Sequence, residues 1–522
     1  MIRDFASSDA EQQLIDCDLC VAGAGAAGIA LALEFMNRRD RVVVLESGGL
    51  DYEEATQELY AGRSDLGMEY FPLETARVRV FGGSTTHWGG MCTRLDPIDF
   101  AKRDWVPYSG WPIDHRDLDP YYARAHVWLE LGEYDYDRPS IAPPGTEFLP
   151  FSEDRVRQKM WRYSMPPTDF GATYRSQLAD AENIDVLLHA NLVEIETTEN
   201  AGEVTAFRIA TLDGRSARIR ARTYVLALGG VETARMLLCN DRVITAGLGN
   251  QHDLVGRFFM EHIGILPAEV LDLKQDGWQR AYDDLVHGER QVRCGLTASF
   301  EAQEQEEILN SMLMFGQRNV VRPQSVGYRS LAEIRKHVTQ GEFPEDLGEH
   351  LYNMITDIDG LVRGLYEKVD SSVFIGMEAE QSPNPDSRVV LGTERDQLGL
   401  RRANLDWRPS ELDRRSVRKL LELTAQELAR MDVGRLRIEN WIMEDDWSGN
   451  ARGHYHHMGT ARMASDPSQG VVNADCQVFG TDNLYIAGSS VFPTGGCANP
   501  TLTLVALTLR LADHLQARLA KA

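Results

Sequence analysis

The segment FGGSTTHWGG, residues 81–90, places a histidine and a tryptophan between two pairs of glycines. Glycine pairs occur where the backbone takes up positive φ or passes very close to another group. His87 and Trp88 are therefore expected to lie against whatever this loop approaches. An imidazole in that position can stack on a ligand, hydrogen-bond to it or be joined to it covalently.

Three further histidines stand together in GHYHHMGTARM, residues 453–463. His454 and His456 alternate as on a strand and form a conceivable metal pair. No matching third ligand is evident in the sequence, although protein zinc sites use three or four ligands. We therefore expect no bound metal. His457 is expected to face the opposite side, as a packed or hydrogen-bonded core residue.

The segment CDLCVAGAGAAGIALALEFMNRRDRVVVLE, residues 17–46, predicts a strand, a tight turn, a helix and a second strand. Gly23, Gly25 and Gly28 form the pattern GxGxxG directly after the first strand. The helix is predicted from Ala26 to about Arg39, with Arg38 and Arg39 near the negative end of its dipole. Glu46 ends the second strand, where an acid binds a ribose hydroxyl. The unit predicts an adenosine dinucleotide and disfavours NADP, but it does not separate NAD from FAD.

A second part of this site is predicted near the end of the chain. LYIAG, residues 484–488, is a short apolar strand, and Asn499-Pro500 opens an amphipathic helix with Pro500 at its first position and Asn499 as its N-cap. The positive end of this helix can stabilise the negative charge on the pyrimidine edge of a reduced flavin. A helix N-terminus at this place therefore favours FAD over NAD.

Taken together, these motifs resemble those of the glucose–methanol–choline (GMC) oxidoreductases, flavoproteins that oxidise alcohols. The resemblance rests on the GxGxxG unit with Glu46, on GGSTTHWGG, on YVLALGGVETARMLL (224–238), on HHMGTARM and on ANPTLTLVAL (498–507). Residues from about 265 to 450 match nothing specific.

The resemblance implies that His456 and Asn499 are the catalytic pair, since His456 lies four residues before Thr460 of the Gly-Thr motif. A His–Asn pair is similar to that of the pyranose oxidases. Neutral imidazole suits removal of the hydroxyl proton, and Asn499 can hydrogen-bond the developing alkoxide while the carbon-bound hydrogen moves to flavin N5. A role for Asn499 as an N-cap alone stays open.

The resemblance also implies the residues that contact FAD. His87 matches the histidine that is bonded covalently to the flavin in pyranose oxidases, but a non-covalent contact stays open. The backbone of Val193 corresponds to an adenine contact. The complete predicted set is Gly23, Gly25, Gly28, Glu46, Gly82, Gly83, Ser84, His87, Trp88, Gly89, Gly90, Val193, Gly229, Gly488, Ser489, Asn499, Pro500 and Thr501.

The order of strands and helices predicts an α/β protein with a doubly wound, mainly parallel sheet and a second, α+β domain built on an antiparallel sheet. Residues 14–130, 185–265 and 451–522 are assigned to a discontinuous FAD-binding domain. Residues 131–184 and 266–450 are assigned to a substrate-binding cap domain, in which Ser410–Met431 predicts a helix.

Composition limits the partners and the compartment. A formal charge of −25 argues against nucleic acid and anionic membranes. No apolar stretch is long enough for membrane insertion. The polar start of the sequence and seven scattered cysteines, with Cys17 and Cys20 as ordinary core residues, indicate a cytoplasmic protein.

We therefore expect an FAD-dependent oxidase or dehydrogenase for a sugar, glycoside or polyol, with oxygen or another compound as electron acceptor. An aminosugar, an aminoglycoside or another alcohol is the alternative substrate. A GMC-fold lyase with FAD that is not reduced, an NAD-dependent enzyme and a non-catalytic flavin-binding protein are the alternatives of other classes.

Overall fold

The computed structural model describes residues 1–7, 13–271, 273, 277–288, 290–319, 326–339, 344, 346–358, 360–361, 371–444 and 447–521. Its strands, numbered along the chain, are β1 Ile2–Asp4, β2 Gln13–Asp16, β3 Leu19–Ala22, β4 Val42–Leu45, β5 Met91–Cys92, β6 Val156–Tyr163, β7 Ile184–Leu188, β8 Asn191–Thr197, β9 Val204–Ala210, β10 Ser216–Arg220, β11 Thr223–Leu226, β12 His262–Leu271, β13 Leu285–His287, β14 Arg290–Ala298, β15 Met312–Asn319, β16 Ser371–Glu380, β17 Arg388–Arg395, β18 Arg401–Asp406, β19 Arg435–Ile438 and β20 Leu484–Ile486.

The α-helices are α1 Ala26–Glu34, α2 Glu54–Gln57, α3 Pro97–Phe100, α4 His115–Trp128, α5 Arg138–Ile141, α6 Phe170–Asp180, α7 Gly229–Cys239, α8 Phe300–Glu306, α9 Val326–Thr339, α10 Leu347–Thr356, α11 Glu411–Arg430, α12 Asn440–Met443 and α13 Pro500–Lys521. Short 3₁₀ helices cover Phe5–Ser7, Glu58–Tyr60, Gly83–Thr86, Trp278–Tyr282 and Ser489–Val491. None of the helices in the described ranges combines the length and the apolarity that crossing a bilayer requires.

A six-stranded sheet, entirely parallel, forms the first half of the fold. Its strand order is β1-β7-β4-β3-β11-β20. β3, β4, β11 and β20 are buried along their whole length, because helices cover parallel sheets on both faces. The predicted doubly wound, mainly parallel sheet is thus confirmed.

A larger antiparallel sheet forms the second half, with the order β19-β12-β16-β15-β14-β6-β5 and β13 beside β14. The long helix α11 packs against this sheet and begins with a capping box, in which Ser410 and Asp413 exchange backbone and side-chain hydrogen bonds. The predicted antiparallel sheet backed by a helix is therefore present. A mixed four-stranded sheet, β2-β10-β9-β8, and the hairpin β17-β18 complete the topology.

The strands do not follow the predicted domain limits at every point. Strand β1 lies before residue 14 yet joins the parallel sheet, and β5 joins the antiparallel sheet although it lies within residues 14–130 of the predicted FAD-binding domain. The division of the chain into two domains remains a prediction.

Helix α1 is shorter than the sequence predicts. It ends at Glu34, and Asn37 has a left-handed backbone with φ 65°. Asparagine tolerates this conformation better than most residues, so the chain turns here instead of continuing as a helix. Arg38 and Arg39 consequently lie beyond the helix, and Arg38 pairs with Asp40 at 3.0 Å.

Candidate active site

One large cavity, of about 680 Å³, lies where the carboxyl ends of the parallel strands meet the antiparallel sheet. The residues that follow β3, β4, β11 and β20 all line it: Gly23, Glu46, Ala227 and Ala487. Ligands of doubly wound folds bind at this edge of the sheet. Its volume lies in the range of cofactor and ligand sites.

Most of the predicted site residues line this one cavity, although they come from distant parts of the chain. They are Gly23, Gly25, Glu46, Gly83, Ser84, His87, Trp88, Gly89, Gly90, Gly229, His456, Gly488, Ser489, Asn499, Pro500 and Thr501. Gly28, Gly82 and Val193 are absent from its lining.

For two of these three residues, Gly28 and Gly82, the structure shows a close contact with another part of the backbone. A Cβ on Gly28 would lie 1.8 Å from the carbonyl oxygen of Gly23, so this glycine allows helix and turn to pack closely. Gly82, with φ 101°, approaches the backbone of Gly171 and not the cavity. In β8 the cavity is lined by Leu192, and the predicted contact of the neighbouring Val193 backbone with adenine stays a prediction.

The glycines on the cavity wall leave room for a group that approaches the backbone. An added Cβ would meet no atom within 4 Å at Gly25, Gly89, Gly229 or Gly488. Helices α1, α7 and α13 begin at this wall, with Gly25, Gly229 and Pro500 in the lining. Helix N-termini carry positive partial charge and free backbone N–H groups. The arrangement fits an anionic dinucleotide.

Glu46 is buried in this wall and is already partly satisfied. One carboxylate oxygen accepts the N–H of Ala24 at 2.9 Å and the other that of Gly48 at 2.8 Å. Burial raises the pKa of Glu46 above its usual value, against these two hydrogen bonds. Its carboxylate thus braces the glycine turn and keeps acceptor capacity for a ligand hydroxyl.

A buried ionic cluster forms another part of the wall. Glu232 on α7 binds Arg79 at 2.7 Å, Arg235 at 2.8 Å and Arg77 at 3.3 Å, and Arg235 also pairs with Asp396. Although burial opposes ionisation, the three arginines lower the pKa of Glu232 to about 2. These three cations face two carboxylates, so the cluster adds positive charge beside the cavity.

The histidine segment lies along the start of β12. Met260 and Met458 exchange two backbone hydrogen bonds of 3.0 Å, and Gly264 pairs in the same way with Arg452. Gly264 has no side chain to obstruct His454, whose Nε2 would lie 1.9 Å from a Cβ there. This antiparallel contact fixes the histidines relative to the large sheet.

Glu261 holds the segment from one side. Its carboxylate accepts the N–H of His454 at 3.0 Å and the hydroxyl of Tyr70 at 2.5 Å. Tyr70 in turn accepts from Nε2 of His457 at 2.9 Å. Burial raises the pKa of Glu261 to about 7, and burial lowers that of His457 to about 3. His457 is buried and hydrogen-bonded, as predicted, and it also lines the cavity.

His456 lines the cavity and lies close to His262 and Glu378, two residues that sequence analysis did not assign to the site. Its Nδ1 lies 2.8 Å from Nδ1 of His262, the first residue of β12. Burial lowers the pKa of His456 well below its usual range. His456 is therefore neutral at pH 7 and able to accept a proton.

Glu378, on β16, contacts both His454 and Asn499. Its carboxylate lies 3.3 Å from Nδ1 of His454 and accepts from Nδ2 of Asn499 at 3.3 Å. Although burial opposes ionisation, His454 lowers the pKa of Glu378 to about 2, and Glu378 raises that of His454. Since the carboxylate only accepts, it determines which side of the Asn499 amide faces it.

The amide of Asn499 does not cap α13 as the alternative interpretation predicts. Its Oδ1 is buried and has no hydrogen-bond partner among the described residues, so it does not bond the first N–H groups of the helix. A buried amide oxygen without a partner is costly. Asn499 is 8% exposed and lines the cavity, where a bound molecule can supply the missing donor.

The sequence showed no third candidate metal ligand. In the structure, however, His262 and Glu378 lie close to His456 and could in principle bind a metal ion with it. Ligand atoms of His262, Glu378 and His456 lie within 4.8 Å of one another. The two Nδ1 atoms are separated by a hydrogen-bond distance of 2.8 Å. Two nitrogens bound tetrahedrally to zinc at 2.0–2.1 Å would be about 3.3 Å apart. The observed distance of 2.8 Å therefore indicates a hydrogen bond between the two rings, not two ligands of one zinc ion.

His87 lies at the cavity edge on the turn after Gly83–Thr86. It is exposed, and its Nδ1 is 3.1 Å from the hydroxyl of Thr86. Trp88 is half-buried and donates from its indole nitrogen to the carbonyl of Thr168 at 3.0 Å. The loop therefore presents the imidazole to the cavity while the tryptophan fixes the turn.

Known proteins resemble this chain along nearly its whole length. A family model described as GMC oxidoreductase matches residues 383–508. The 6'''-hydroxyparomomycin C oxidase of Streptomyces lividus is 25% identical, over 96% of this chain and 92% of its own. The 2-methyl-1,2-propanediol dehydrogenase of Mycolicibacterium austroafricanum is 24% identical, over 96% of this chain and 95% of its own. The solved FAD-dependent oxidoreductase from Chaetomium thermophilum shares the fold, with a TM-score of 0.59 and 15% identity. The match covers 96% of this chain and 99% of that one.

Proposed function

This chain belongs to the GMC oxidoreductases, enzymes that act on CH–OH donors, and we propose that it uses FAD to oxidise a hydroxyl group of a sugar, glycoside or polyol to a carbonyl. The observation that carries the proposal is that a neutral histidine, His456, and the amide of Asn499 lie together on the wall of one cavity, which glycines and helix N-termini also line.

The cavity wall fits FAD on several independent grounds. The open glycines Gly25, Gly229 and Gly488 leave room for a ligand beside the backbone, and three helix N-termini face it. We assign Glu46 to the ribose and the start of α13 to the flavin. When bound, FAD supplies the two-electron acceptor that alcohol oxidation requires.

His456 acts as the general base for the substrate hydroxyl. Its lowered pKa keeps it neutral at pH 7, so that it can take the hydroxyl proton as the carbon–hydrogen bond breaks. Glu378 lies close to the imidazole and stabilises the positive charge that this step creates. A general base in such a position contributes about 10²–10⁴-fold to the rate.

Asn499 stabilises the negative charge on the substrate oxygen. One N–H of its amide is bound to Glu378, which leaves the second N–H for the developing alkoxide. The amide cannot take the proton itself, so it does not compete with His456. A single oriented donor of this kind is worth about 3–4 kcal/mol in the transition state.

The choice of a sugar-like substrate is supported by the relatives and by the rim of the cavity. The Streptomyces lividus relative is named for oxidation of a hydroxyparomomycin. Tyr455, 52% exposed, stacks on Phe71 at 4.6 Å beside His456 and offers an aromatic face to a sugar ring. The carboxylate of Glu378 supports the aminosugar or aminoglycoside alternative, because it can attract a substrate ammonium group.

The experiment that tests the proposal is anaerobic mixing of the purified protein with glycosides, aminoglycosides, polyols and simple diols. Bleaching of the flavin absorbance by one of these alcohols supports the proposed oxidation, and the fastest one identifies the substrate class. A yellow protein that no alcohol bleaches supports the lyase alternative, and a colourless protein that requires NAD contradicts the cofactor assignment. Admitting air after bleaching shows whether oxygen is the electron acceptor.

His87 is our proposed attachment residue for a covalent bond to FAD. Its exposed ring at the cavity edge supports this assignment. After acid precipitation, a covalent cofactor stays with the protein, whereas a dissociable one colours the supernatant. A His87→Ala variant that releases its FAD under acid, when the natural protein does not, identifies the bond.

A further inference from the structure

We propose that His262 is a positioning residue that fixes the tautomer of His456 and so leaves Nε2 of His456 as the basic nitrogen. The inference rests on the proposed function only where it takes His456 to be the base. The hydrogen-bond arrangement itself is a property of the protein without substrate.

Two hydrogen bonds define the position of His262. The residue is completely buried at the start of β12, where no water reaches its ring. Its Nε2 lies 2.8 Å from the carbonyl oxygen of Gly496, and its Nδ1 lies 2.8 Å from Nδ1 of His456. The two imidazole rings are nearly perpendicular, with centroids 5.0 Å apart.

The carbonyl oxygen of Gly496 determines which ring nitrogens of His262 and His456 carry a hydrogen. A backbone carbonyl only accepts, so Nε2 of His262 must carry the hydrogen of that bond. A neutral imidazole has a single N–H, and Nδ1 of His262 is consequently an acceptor. The hydrogen between the two rings therefore belongs to Nδ1 of His456. In neutral His456 the lone pair then resides on Nε2.

Both rings are neutral in this arrangement. Burial lowers the pKa of His262 as well as that of His456. The charged groups around His262 are Glu378 and Glu380, which favour its protonation, and His454, which opposes it. With both rings neutral, each of the four nitrogens has one defined role.

The pair also holds the proton that His456 accepts. Once His456 is an imidazolium, its Nδ1–H bond to His262 becomes a charge-assisted hydrogen bond and is stronger. The carbonyl of Gly496 cannot accept a proton, so the proton goes no farther than the two rings. His262 thus orients and stabilises the base instead of serving as a proton exit.

His262 gave no signal in the sequence because it is a lone histidine in the apolar run FMEHIGIL, 194 residues from His456. The antiparallel contacts of Met260 with Met458 and of Gly264 with Arg452 bring the two together. The same loop before α13 supplies both the carbonyl of Gly496 and Asn499. His262 therefore connects the two halves of the catalytic pair.

The direct test is the tautomer of His456 in the holoenzyme. In a two-bond ¹H–¹⁵N correlation spectrum of protein labelled with ¹⁵N-histidine, the cross-peak pattern distinguishes N–H at Nδ1 from N–H at Nε2. A His456→Asn spectrum assigns the signals. We expect His456 to carry hydrogen on Nδ1 and His262 on Nε2. Hydrogen on Nε2 of His456 would overturn the proposal, whether or not any alcohol is oxidised.

Two substitutions separate orientation from structural support. His262→Gln keeps a donor for Gly496 but removes the acceptor at the position of Nδ1, and His262→Asn places an amide oxygen at that position. We expect His262→Gln to lower kcat by about 10–100-fold, as for other partners that orient a functional histidine, with KM little changed. His262→Asn should retain more activity.

The control is His126→Asn, a buried histidine that is hydrogen-bonded to Gly132 and Tyr136 and does not line the cavity. Its kcat should equal that of the natural protein. A His262→Gln variant with unchanged kcat, or with more activity than His262→Asn, contradicts the proposal. Failure of every alcohol to bleach the flavin would instead contradict the proposed function and leave the tautomer measurement intact.

Discussion

Replacing Glu378 by glutamine should weaken the base without removing any of its neighbours. Glutamine keeps an oxygen for the amide of Asn499 but carries no charge. In the natural protein the carboxylate is ionised, since His454 lowers its pKa to about 2. One of its carboxylate oxygens lies within 4.8 Å of a ring nitrogen of His456 and of a ring nitrogen of His262. The substitution therefore removes the negative charge next to the imidazolium that forms during the reaction.

The size of the effect follows from this distance. Two unit charges 4.8 Å apart interact by about 3.5 kcal/mol at an effective dielectric constant of about 20. If the proton is half transferred in the transition state, the rate falls about 20-fold, and if it is fully transferred, about 350-fold. Loss of the carboxylate also lowers the pKa of His456 further, because the protonated form loses its stabilisation.

The assay is anaerobic stopped-flow measurement of flavin reduction as a function of pH. For Glu378→Gln we expect a lower plateau rate and an acid limb that moves to lower pH, since the weaker base is protonated only in more acidic solution. Glu427→Gln is the matched control, because Glu427 is a buried, ion-paired glutamate on α11 that does not line the cavity. An unchanged plateau, or an acid limb at higher pH, would refute the assigned role of Glu378.

The other predictions concern the cofactor wall, the ionic cluster and the amide. Gly25→Val should fold normally but retain little FAD, because its side chain extends into the cavity, whereas Gly28→Val should lower the melting temperature through its 1.8 Å clash with Gly23; absorbance and thermal melts of both variants check this. Glu232→Gln should destabilise the protein by about 3–5 kcal/mol in denaturant titrations at pH 7, because it removes the charged partner of buried arginines. Since the pKa of Glu232 is lowered to about 2, the difference in stability between the natural protein and the variant should diminish as pH falls below about 4.5. Asn499→Ala should slow flavin reduction by about 10²–10³-fold with little change in melting temperature, and an equal loss of stability would assign Asn499 to the helix instead.

The fold and the glycine-rich elements that line one side of the cavity were predictable because their signals are local. Apolar runs with a glycine turn and a terminal acid define β3, α1 and β4 within thirty residues. The end of α1 was misplaced, since a left-handed asparagine at position 37 outweighs the helical pattern around it. Gly82 lies against the backbone of Gly171, a contact that sequence analysis did not foresee, and its predicted contact with the cofactor stays a prediction.

The groups that surround His456 could not be found from the sequence. His262 and Glu378 stand in largely apolar strands and outside any motif, where a core residue is the ordinary interpretation. Their proximity to His456 depends on the pairing of β12 with β16 and with the segment 452–458. Such pairings are set by the tertiary fold and leave no pattern of spacing along the chain.

The most direct test of the proposed chemistry is the rate of flavin reduction in a His456→Ala variant that still holds its FAD. We predict a rate about 10²–10⁴-fold below that of the natural protein with the same alcohol. A rate close to that of the natural protein would show that His456 is not the base, and the catalytic roles proposed for the residues around it would be wrong.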